Sequence, residues 1–259
     1  MQPADSLAGK TVDIPRRRRE LTAKLEPFDS FWEAPDDIDS GYRRFGLYYK
    51  DNYARYLRED KDARILCVSC GPGYGVALLH DLGYRDVLGI DSFQEKIAHA
   101  RRRNLNCRVA YAFDYLEQSA DGSYDVLFLE QEINHLTKDE ILEFLALCRA
   151  KLRPGGRLLC FVLNGANPLT GAEALAQNFD HYNTFSEYTL RQVLKHVGFG
   201  EIEVFDLNPY VFYGNPLNYL AMAAAGALHL LFRACFMLYG KKNRLFAKKI
   251  AAACKRPLR

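Results

Sequence analysis

The chain has 259 residues, of which 49% are hydrophobic and 26% charged, so it is long enough to bury one substantial core. Its 35 lysines and arginines face 32 acidic residues, and a formal net charge of +3 is too small to argue for nucleic acid as a partner. Seven cysteines lie mostly in apolar runs without the spacing of a disulfide framework, which predicts reduced thiols in a cytoplasmic protein. The polar start MQPADSLAGKTVD predicts no cleaved secretory signal.

The first elements in chain order are an arm and an aromatic helix. Residues 1 to about 40 are polar and contain four prolines, which predicts an arm with a short basic helix around Arg16 to Leu25. From Ser40 to Leu57, aromatic side chains recur every three or four residues, as on one stripe of a helix. The stripe either packs on the core or covers a ligand, and Tyr49 is a candidate acceptor contact. We assign residues 1–58 to this substrate-side unit.

Short apolar runs alternate with helical patterns after the aromatic helix. The predicted strands are 64–69, 86–90, 107–111, 124–130, 157–163 and 201–206. The predicted helices are 74–83, 92–103, 113–118, 137–152 and 186–197. Strands that alternate with helices pair in parallel, because parallel pairing needs crossover connections. The predicted fold class is therefore α/β, a doubly wound, mostly parallel, Rossmann-like sheet, with residues 59–206 as its ligand-binding core.

The last part of the chain, residues 207–259, combines an apolar run with basic residues. The run at 216–239 is nearly long enough to span a bilayer, although Asn218, His229 and Arg233 interrupt it. A pair of core helices and a helix lying in the membrane interface both stay open, and the basic stretch KKNR that follows favours the interface. The segment LFAKKIAAACKRP near the end is compatible with a final strand of the sheet.

A glycine-rich turn follows the first predicted strand in ILCVSCGPGYG. Glycines at alternate positions let the backbone approach a ligand closely, because they have no side chain and tolerate positive φ. A dinucleotide fingerprint needs a glycine where Val76 stands, and a P-loop needs a Gly-Lys-Ser/Thr sequence, which this turn does not contain. Pro72 also removes one backbone donor. The loop therefore suits a single carboxylate better than a pyrophosphate.

Acidic residues follow the next two predicted strands. Asp91 stands at the carboxyl end of the second strand, where an acid can accept hydrogen bonds from both ribose hydroxyls. Asp114 follows the third strand beside Phe113, a pair that suits a ring amine and a stacking partner. Glycine loop, Asp91 and Asp114 in this order favour a nucleoside-containing ligand.

These segments, with YDVLFLEQEINHL and LRPGGRLL, resemble the ordered motifs of class I S-adenosylmethionine-dependent methyltransferases over roughly residues 60–206. The resemblance implies the family's seven-stranded sheet, S-adenosylmethionine as cofactor and S-adenosylhomocysteine as product. It also implies that the glycine loop holds the methionine portion and that the two acids hold ribose and adenine. The implied cofactor-binding residues are Ser69, Gly71, Gly73, Asp91, Phe113, Asp114 and Glu130.

Two positions depart from the family pattern. Cys67 stands where the family usually has an acid, and Ser69 stands where it usually has a glycine. The missing acid removes a common anchor for the loop and for the amino group of the cofactor. Either another residue substitutes for it or the cofactor binds weakly.

Methyl transfer to a hydroxyl needs a base at the carboxyl edge of the sheet, where open α/β sheets bind ligands. His135 in QEINHL resembles the histidine of the family's Glu-His-Leu triplet, and His181 is its rival. Asp180 and Tyr182 beside His181 are candidate acceptor contacts. Because Asn134 replaces the triplet's glutamate, we expect no metal.

The segment around His181 also resembles methyltransferases associated with bacterial surface-glycan and lipopolysaccharide assembly. The leading hypothesis is O-methylation of a sugar hydroxyl on a surface glycan or lipid-linked saccharide. The enzyme would be cytoplasmic with peripheral contact at the inner membrane face. The alternatives are a small phenolic or quinone-like acceptor, for which the aromatic stripe would form the pocket, and a non-catalytic binding protein of the same fold.

Overall fold

The computed structural model describes residues 35–130, 132–176, 179–209 and 215–258. The predicted basic helix around Arg16 to Leu25 lies outside these residues. Within them the chain forms a seven-stranded sheet flanked by helices on both faces, which confirms the predicted doubly wound α/β architecture.

The strands follow the order β3-β2-β1-β4-β5-β7-β6. They are β1 Ile65–Val68, β2 Val87–Asp91, β3 Cys107–Val109, β4 Tyr124–Glu130, β5 Leu152–Leu163, β6 Gly200–Asp206 and β7 Lys249–Lys255. The pairs from β3 to β5 are parallel, and β7 lies antiparallel between β5 and β6. The last strand therefore comes from the mixed apolar and basic segment near the end of the chain, as the sequence allowed.

The helices connect these strands and cover both faces of the sheet. They are α1 Pro35–Tyr53, α2 Tyr74–Asp81, α3 Gln94–Arg102, α4 Ala112–Gln118, α5 Lys138–Lys151, α6 Glu173–Ala176, α7 Glu187–Val197 and α8 Leu217–Leu238. Two short 3-10 helices occur at Ala54–Tyr56 and Glu132–His135. One apolar cluster forms between the sheet and α1 and α2, and a second forms on the other face with α5 and α7. The central strands β1 and β4 are mostly apolar, as expected for strands whose two faces are both covered.

The aromatic stripe packs on the core. Tyr48, Tyr49, Tyr53 and Tyr56 are all buried, and α1 continues into the 3-10 helix at its end. The helix begins at Pro35, earlier than the aromatic period predicted, and proline is well suited to the first turn of a helix. These four side chains therefore pack on the core, which was one of the two alternatives for the stripe.

Two element boundaries differ from the sequence predictions. The third strand ends at Val109 because the chain turns there into α4. The fifth strand was predicted at 157–163 but begins at Leu152, directly after α5, although Pro154 and the two glycines after it are residues that favour a turn. Gly155 has a φ of 74°, and the pairing of β5 with β4 shifts register near Tyr124. The first residues of β5 are therefore an irregular, bulged part of the strand and not a separate turn.

Among the described helices, α8 alone is long and apolar enough to cross a bilayer by length and composition. One side of α8 contacts the rest of the chain through Phe232 and Phe236, whose rings lie 6.0 and 4.9 Å from the ring of Phe246. Leu220, Leu231 and Leu238 are exposed. The apolar run therefore forms one helix with an exposed side, and not a pair of core helices.

Candidate active site

The glycine loop links the end of β1 to the start of α2 through backbone that favours glycine. Gly71 and Gly73 have φ angles of 53° and 87°. The amide of Gly71 donates to Asp91 Oδ2 at 2.8 Å, which ties the loop to the end of β2. A side chain at Gly75 would also collide, because an added Cβ would lie 2.8 Å from Glu130 Oε1. The loop can therefore present its backbone to a ligand at the carboxyl edge of the sheet.

Asp91 is buried at the edge where a ribose is expected. Its Oδ1 accepts from the amide of Phe93 at 2.9 Å, and its Oδ2 accepts from Gly71. A carboxylate oxygen has a second acceptor site, so each oxygen can still receive a ligand hydroxyl. Asp91 thus both orders the glycine loop and has the capacity that ribose binding needs.

Ser69 adopts the backbone conformation that explains the family's glycine at this position. Its φ is 58°, a left-handed value that costs a non-glycine residue about 1–2 kcal/mol. Its hydroxyl donates to Glu132 Oε2 in the turn after β4. Glu132 was missed in the sequence analysis, although it lies in the same EINHL segment as His135. This bond links the glycine loop to the segment that carries the histidine.

Phe113 and Asp114 begin α4, directly after β3. Asp91 pairs with Val109 across the sheet, so α4 starts beside the end of β2. The ring of Phe113 lies 5.0 Å from the ring of Phe144 and is only partly buried. Adenine contact by these two residues stays a prediction.

Glu130 and Tyr49 meet at the end of β4. The hydroxyl of Tyr49 donates to Glu130 Oε2, so the buried Tyr49 reaches the cofactor side of the sheet. Burial raises the pKa of Glu130 to about 8, and the bond from Tyr49 opposes that rise. The predicted acceptor contact of Tyr49 stays a prediction.

The structure brings His135, Asp180 and His181 together at the same edge. His135 Nδ1 lies 3.1 Å from Asp180 Oδ2, and the rings of the two histidines are 4.7 Å apart in an edge-to-face arrangement. His181 Nδ1 lies 2.7 Å from the carbonyl oxygen of Ala174, to which it can donate. The two rival bases of the sequence analysis therefore form one cluster, in which the carboxylate directly orients His135.

The surroundings of the two histidines shift their pKa values in opposite directions. Burial disfavours the charged form of His135, but the bond and charge of Asp180 outweigh it and raise the pKa above its usual value. For His181, burial is the largest effect and lowers the pKa. The same contact with His135 lowers the pKa of Asp180, although burial opposes this. At neutral pH the arrangement pairs a carboxylate with the more basic of two imidazoles.

The donor atoms of His135, Asp180 and His181 all lie within 4.8 Å of one another. Two imidazoles and one carboxylate are a donor set that a divalent transition metal can use. The expectation that no metal acts here therefore stays a prediction, and it can be tested by chelation. Tyr182, next to His181 in the chain, is half exposed, and its predicted acceptor contact stays a prediction.

Asn134 explains how the two histidine segments come together. Its side-chain oxygen accepts from the amide of Leu163 at 3.2 Å, and its side-chain nitrogen donates to the carbonyl of Asn183 at 2.7 Å. Its own carbonyl accepts from the amide of Tyr182 at 2.9 Å. The residue that replaces the family's glutamate is thus a fully buried link between the end of β5 and the His181 loop.

Replacing Asn134 with alanine is expected to lower the free energy of unfolding by about 2–4 kcal/mol, because two buried backbone groups lose their partners. Urea unfolding followed by circular dichroism measures the change. Asn134→Asp keeps an oxygen that can accept from Leu163 but turns a buried carboxylate oxygen toward the carbonyl of Asn183, so it should be destabilised at least as much as the alanine variant. A loss below 0.5 kcal/mol in the alanine variant, on the order of a neutral surface change, would contradict this role.

A family model for a methyltransferase domain matches residues 65–156. A probable S-adenosylmethionine-dependent methyltransferase of Mycolicibacterium smegmatis is 29% identical over 162 residues, which cover 62% of this chain and 60% of that relative. A SAM-dependent methyltransferase from Archaeoglobus fulgidus superposes with a TM-score of 0.61 at 17% identity, over 86% of this chain and all of that one.

Phosphoethanolamine N-methyltransferase 2 of Haemonchus contortus, solved with S-adenosyl-L-methionine, superposes with a TM-score of 0.57 at 18% identity, over 90% of this chain and 61% of that one. At these identities the structural likenesses establish the fold. The matched domain, the sheet and the glycine loop thus make the central part of this chain similar to S-adenosylmethionine-dependent methyltransferases.

Proposed function

We propose that this chain transfers the methyl group of S-adenosylmethionine to a hydroxyl group, with His135 as the general base. The observation that carries the proposal is the pairing of His135 Nδ1 with Asp180 Oδ2 at 3.1 Å, beside the second histidine. Such a pair fixes the proton on Nδ1 and leaves the lone pair on Nε2 for the acceptor. The residues proposed to hold the cofactor are those implied by the sequence, with Asp91 on the ribose.

Bound S-adenosylmethionine supplies a methyl carbon on a positively charged sulfur, so that the C–S bond breaks as the acceptor oxygen forms the new C–O bond. His135 Nε2 takes the hydroxyl proton during this attack, and Asp180 stabilises the resulting imidazolium. His181, whose burial favours the neutral form, orients the acceptor or the first histidine. The imidazolium then releases its proton to solvent, which restores the base.

For the acceptor, we propose a sugar hydroxyl of a surface glycan or lipid-linked saccharide. The support is α8, whose outward side is apolar and which is followed by the exposed basic residues Lys241, Lys242 and Arg244. A helix of this kind can hold an enzyme at an anionic membrane surface, where a lipid-linked acceptor is presented. Residues 1–58, 59–206 and 207–259 would then serve as acceptor-side unit, cofactor core and membrane-facing segment with the final strand.

Two other functions stay open. A small phenolic or quinone-like acceptor was considered because of the aromatic stripe, but burial of Tyr48, Tyr49 and Tyr53 in the core weakens that argument. A non-catalytic binding protein was considered because of Cys67, and the histidine–carboxylate pair argues against it. Incubation with methyl-labelled S-adenosylmethionine separates the three. Label in butanol-extractable saccharide supports the proposal, label in a soluble phenol supports the second function, and no transfer supports the third.

Cofactor binding is expected to depend on Asp91. Asp91→Ala should weaken S-adenosylhomocysteine binding by roughly 100-fold or more, because each hydrogen bond from a ribose hydroxyl to the carboxylate contributes about 1.5–3 kcal/mol. Isothermal titration calorimetry measures the change. Asp91→Asn is the matched control for folding, since it keeps one oxygen acceptor for the glycine loop. Affinity within threefold of the wild type in the alanine variant would contradict the placement of the ribose.

A further inference from the structure

Glu130 lies on the same face of the sheet as Cys67, the position where the family's acid is missing. Cys67 pairs with Phe128 across β1 and β4. Side chains on a strand alternate between faces, so Glu130 points to the same face as Phe128, one step nearer the carboxyl edge. Asp91 holds the equivalent position on β2, because Cys67 also pairs with Gly89. Both oxygens of Asp91 already accept backbone amides, however, and Glu130 is the acid whose charge acts on Cys67.

The carboxylate of Glu130 is incompletely satisfied within the protein. The residue is partly exposed overall, but its Oε1 is buried and has no hydrogen-bond partner among the residues that the structure describes. Its Oε2 accepts from Tyr49, and Gly75 leaves the space beside Oε1. A buried carboxylate with one unpaired oxygen is costly unless a cation or donor joins it. Because residue 75 is a glycine, no side chain at that position collides with this oxygen.

The charged groups around Glu130 do not offset the cost of burying its carboxylate. Burial is the largest effect on its pKa, Asp91 raises it further, and Lys249 opposes both only weakly. Lys249 is itself buried, and its pKa is lowered to about 8. Cys67 and Tyr53, which also face the carboxylate, are buried neutral groups whose pKa values are raised by burial.

We propose that Glu130 replaces the acid missing at Cys67, with Oε1 accepting the α-ammonium group of the cofactor's methionine portion and Tyr49 positioning the carboxylate through Oε2. This inference rests on the proposed cofactor use. It predicts that binding is coupled to release of one proton, because the ammonium group favours the ionised form of a carboxyl group that burial keeps largely neutral.

The sign of the pH dependence follows from the free and bound states. In the free protein Glu130 ionises near pH 8, and the bound ammonium shifts this ionisation to lower pH. Affinity for S-adenosylhomocysteine should therefore rise about tenfold per pH unit between pH 6 and 7.5 and level off near pH 8. Without this carboxyl group the affinity would be almost independent of pH in that range.

The test is calorimetric titration of S-adenosylhomocysteine and of 5′-methylthioadenosine, which lacks the ammonium group, in buffers of different ionisation enthalpy. We expect the wild type to release nearly one proton at pH 7 with the first ligand and none with the second. Glu130→Gln should abolish the release and weaken S-adenosylhomocysteine binding at pH 8 by about 10- to 100-fold, with 5′-methylthioadenosine unchanged. Tyr49→Phe, which removes only the donor to Oε2, should keep the release but shift the affinity curve to higher pH.

Three results would overturn the inference. Unchanged S-adenosylhomocysteine affinity in Glu130→Gln would show that the carboxylate does not meet the ammonium group. Equal losses for both ligands would assign Glu130 a structural role. Failure of the wild type to bind either ligand would overturn the proposed cofactor use as well, which distinguishes it from the first two results.

Discussion

His135→Gln is expected to lower kcat by roughly 100- to 10,000-fold, the range that a positioned general base contributes. S-Adenosylhomocysteine should still bind within twofold of the wild type, because His135 is proposed to meet the acceptor and is not among the residues proposed to hold the cofactor. Stopped assays with methyl-labelled cofactor and titration calorimetry measure the two quantities. His196→Gln on the exposed side of α7 is the matched control and should change neither.

The same base should determine how the rate depends on pH. A base acts in its neutral form, so kcat should rise with pH through the pKa of His135, which Asp180 holds above the usual value of 6.5. Asp180→Asn removes that charge, so the rise should move to lower pH while the maximal rate falls. Ionisation of Glu130 should instead change the affinity for the cofactor and not kcat. The reason is that kcat reports the complex in which the cofactor is already bound.

Two results would contradict the base assignment. Full activity in the His135→Gln/His181→Gln double variant, with cofactor binding intact, would exclude both histidines. Loss of activity of the wild type on chelation, restored by a divalent metal, would make the cluster of His135, Asp180 and His181 a metal site. We expect turnover to be unaffected by EDTA.

The positions of the glycine loop and Asp91 could be predicted from local sequence because each lies at the end of one strand. The glycine loop comes directly after β1 and Asp91 ends β2, so the parallel order of the sheet places them at one edge. The bond from Gly71 to Asp91 needs only this adjacency. The strands themselves were predictable because buried parallel strands form short, continuous apolar runs.

The histidine cluster could not be predicted from sequence, because it depends on contacts between segments far apart in the chain. His135 and His181 were treated as rivals, whereas Asn134 joins their segments through hydrogen bonds to the end of β5 and to Asn183. An asparagine's partners cannot be inferred from its neighbours in sequence. Likewise, the aromatic period predicted the helix that carries Tyr49 but not that its hydroxyl would reach Glu130.

The exposure of one side of α8 could likewise not be predicted from the sequence. A helix that is apolar on all sides is ordinarily buried, so the sequence left a core position and a membrane position open. At about 100° per residue, Asn218, His229 and Phe236 lie on one side of α8, and Leu220, Leu231 and Leu238 lie on the other. His229 Nδ1 lies 3.7 Å from Asp206 Oδ2, so the polar interruptions of the run partly serve to attach the helix to the sheet. The opposite side is left as an apolar surface along the full helix.

Replacing Leu220, Leu231 and Leu238 together with glutamine is therefore expected to lower affinity for vesicles of phosphatidylcholine and phosphatidylglycerol by at least about 100-fold. Each leucine loses about 1.5–3 kcal/mol of transfer free energy, and glutamine maintains helix propensity. The three side chains are 56% to 86% exposed, so the free energy of unfolding should change little. Co-sedimentation measures the binding.

The matched control is Leu169→Gln/Leu258→Gln, which changes two exposed leucines that are not part of α8 and should bind vesicles like the wild type. Neutralising Lys241, Lys242 and Arg244 should weaken binding by about 1 kcal/mol per residue at low salt and have less effect at high salt, because only their attraction to anionic lipid is screened. Failure of the wild type to co-sediment, or equal binding by the triple glutamine variant, would remove the support that α8 gives to a lipid-linked acceptor. The proposal of methyl transfer would then still be tested by the activity of His135→Gln, because His135 is not part of α8.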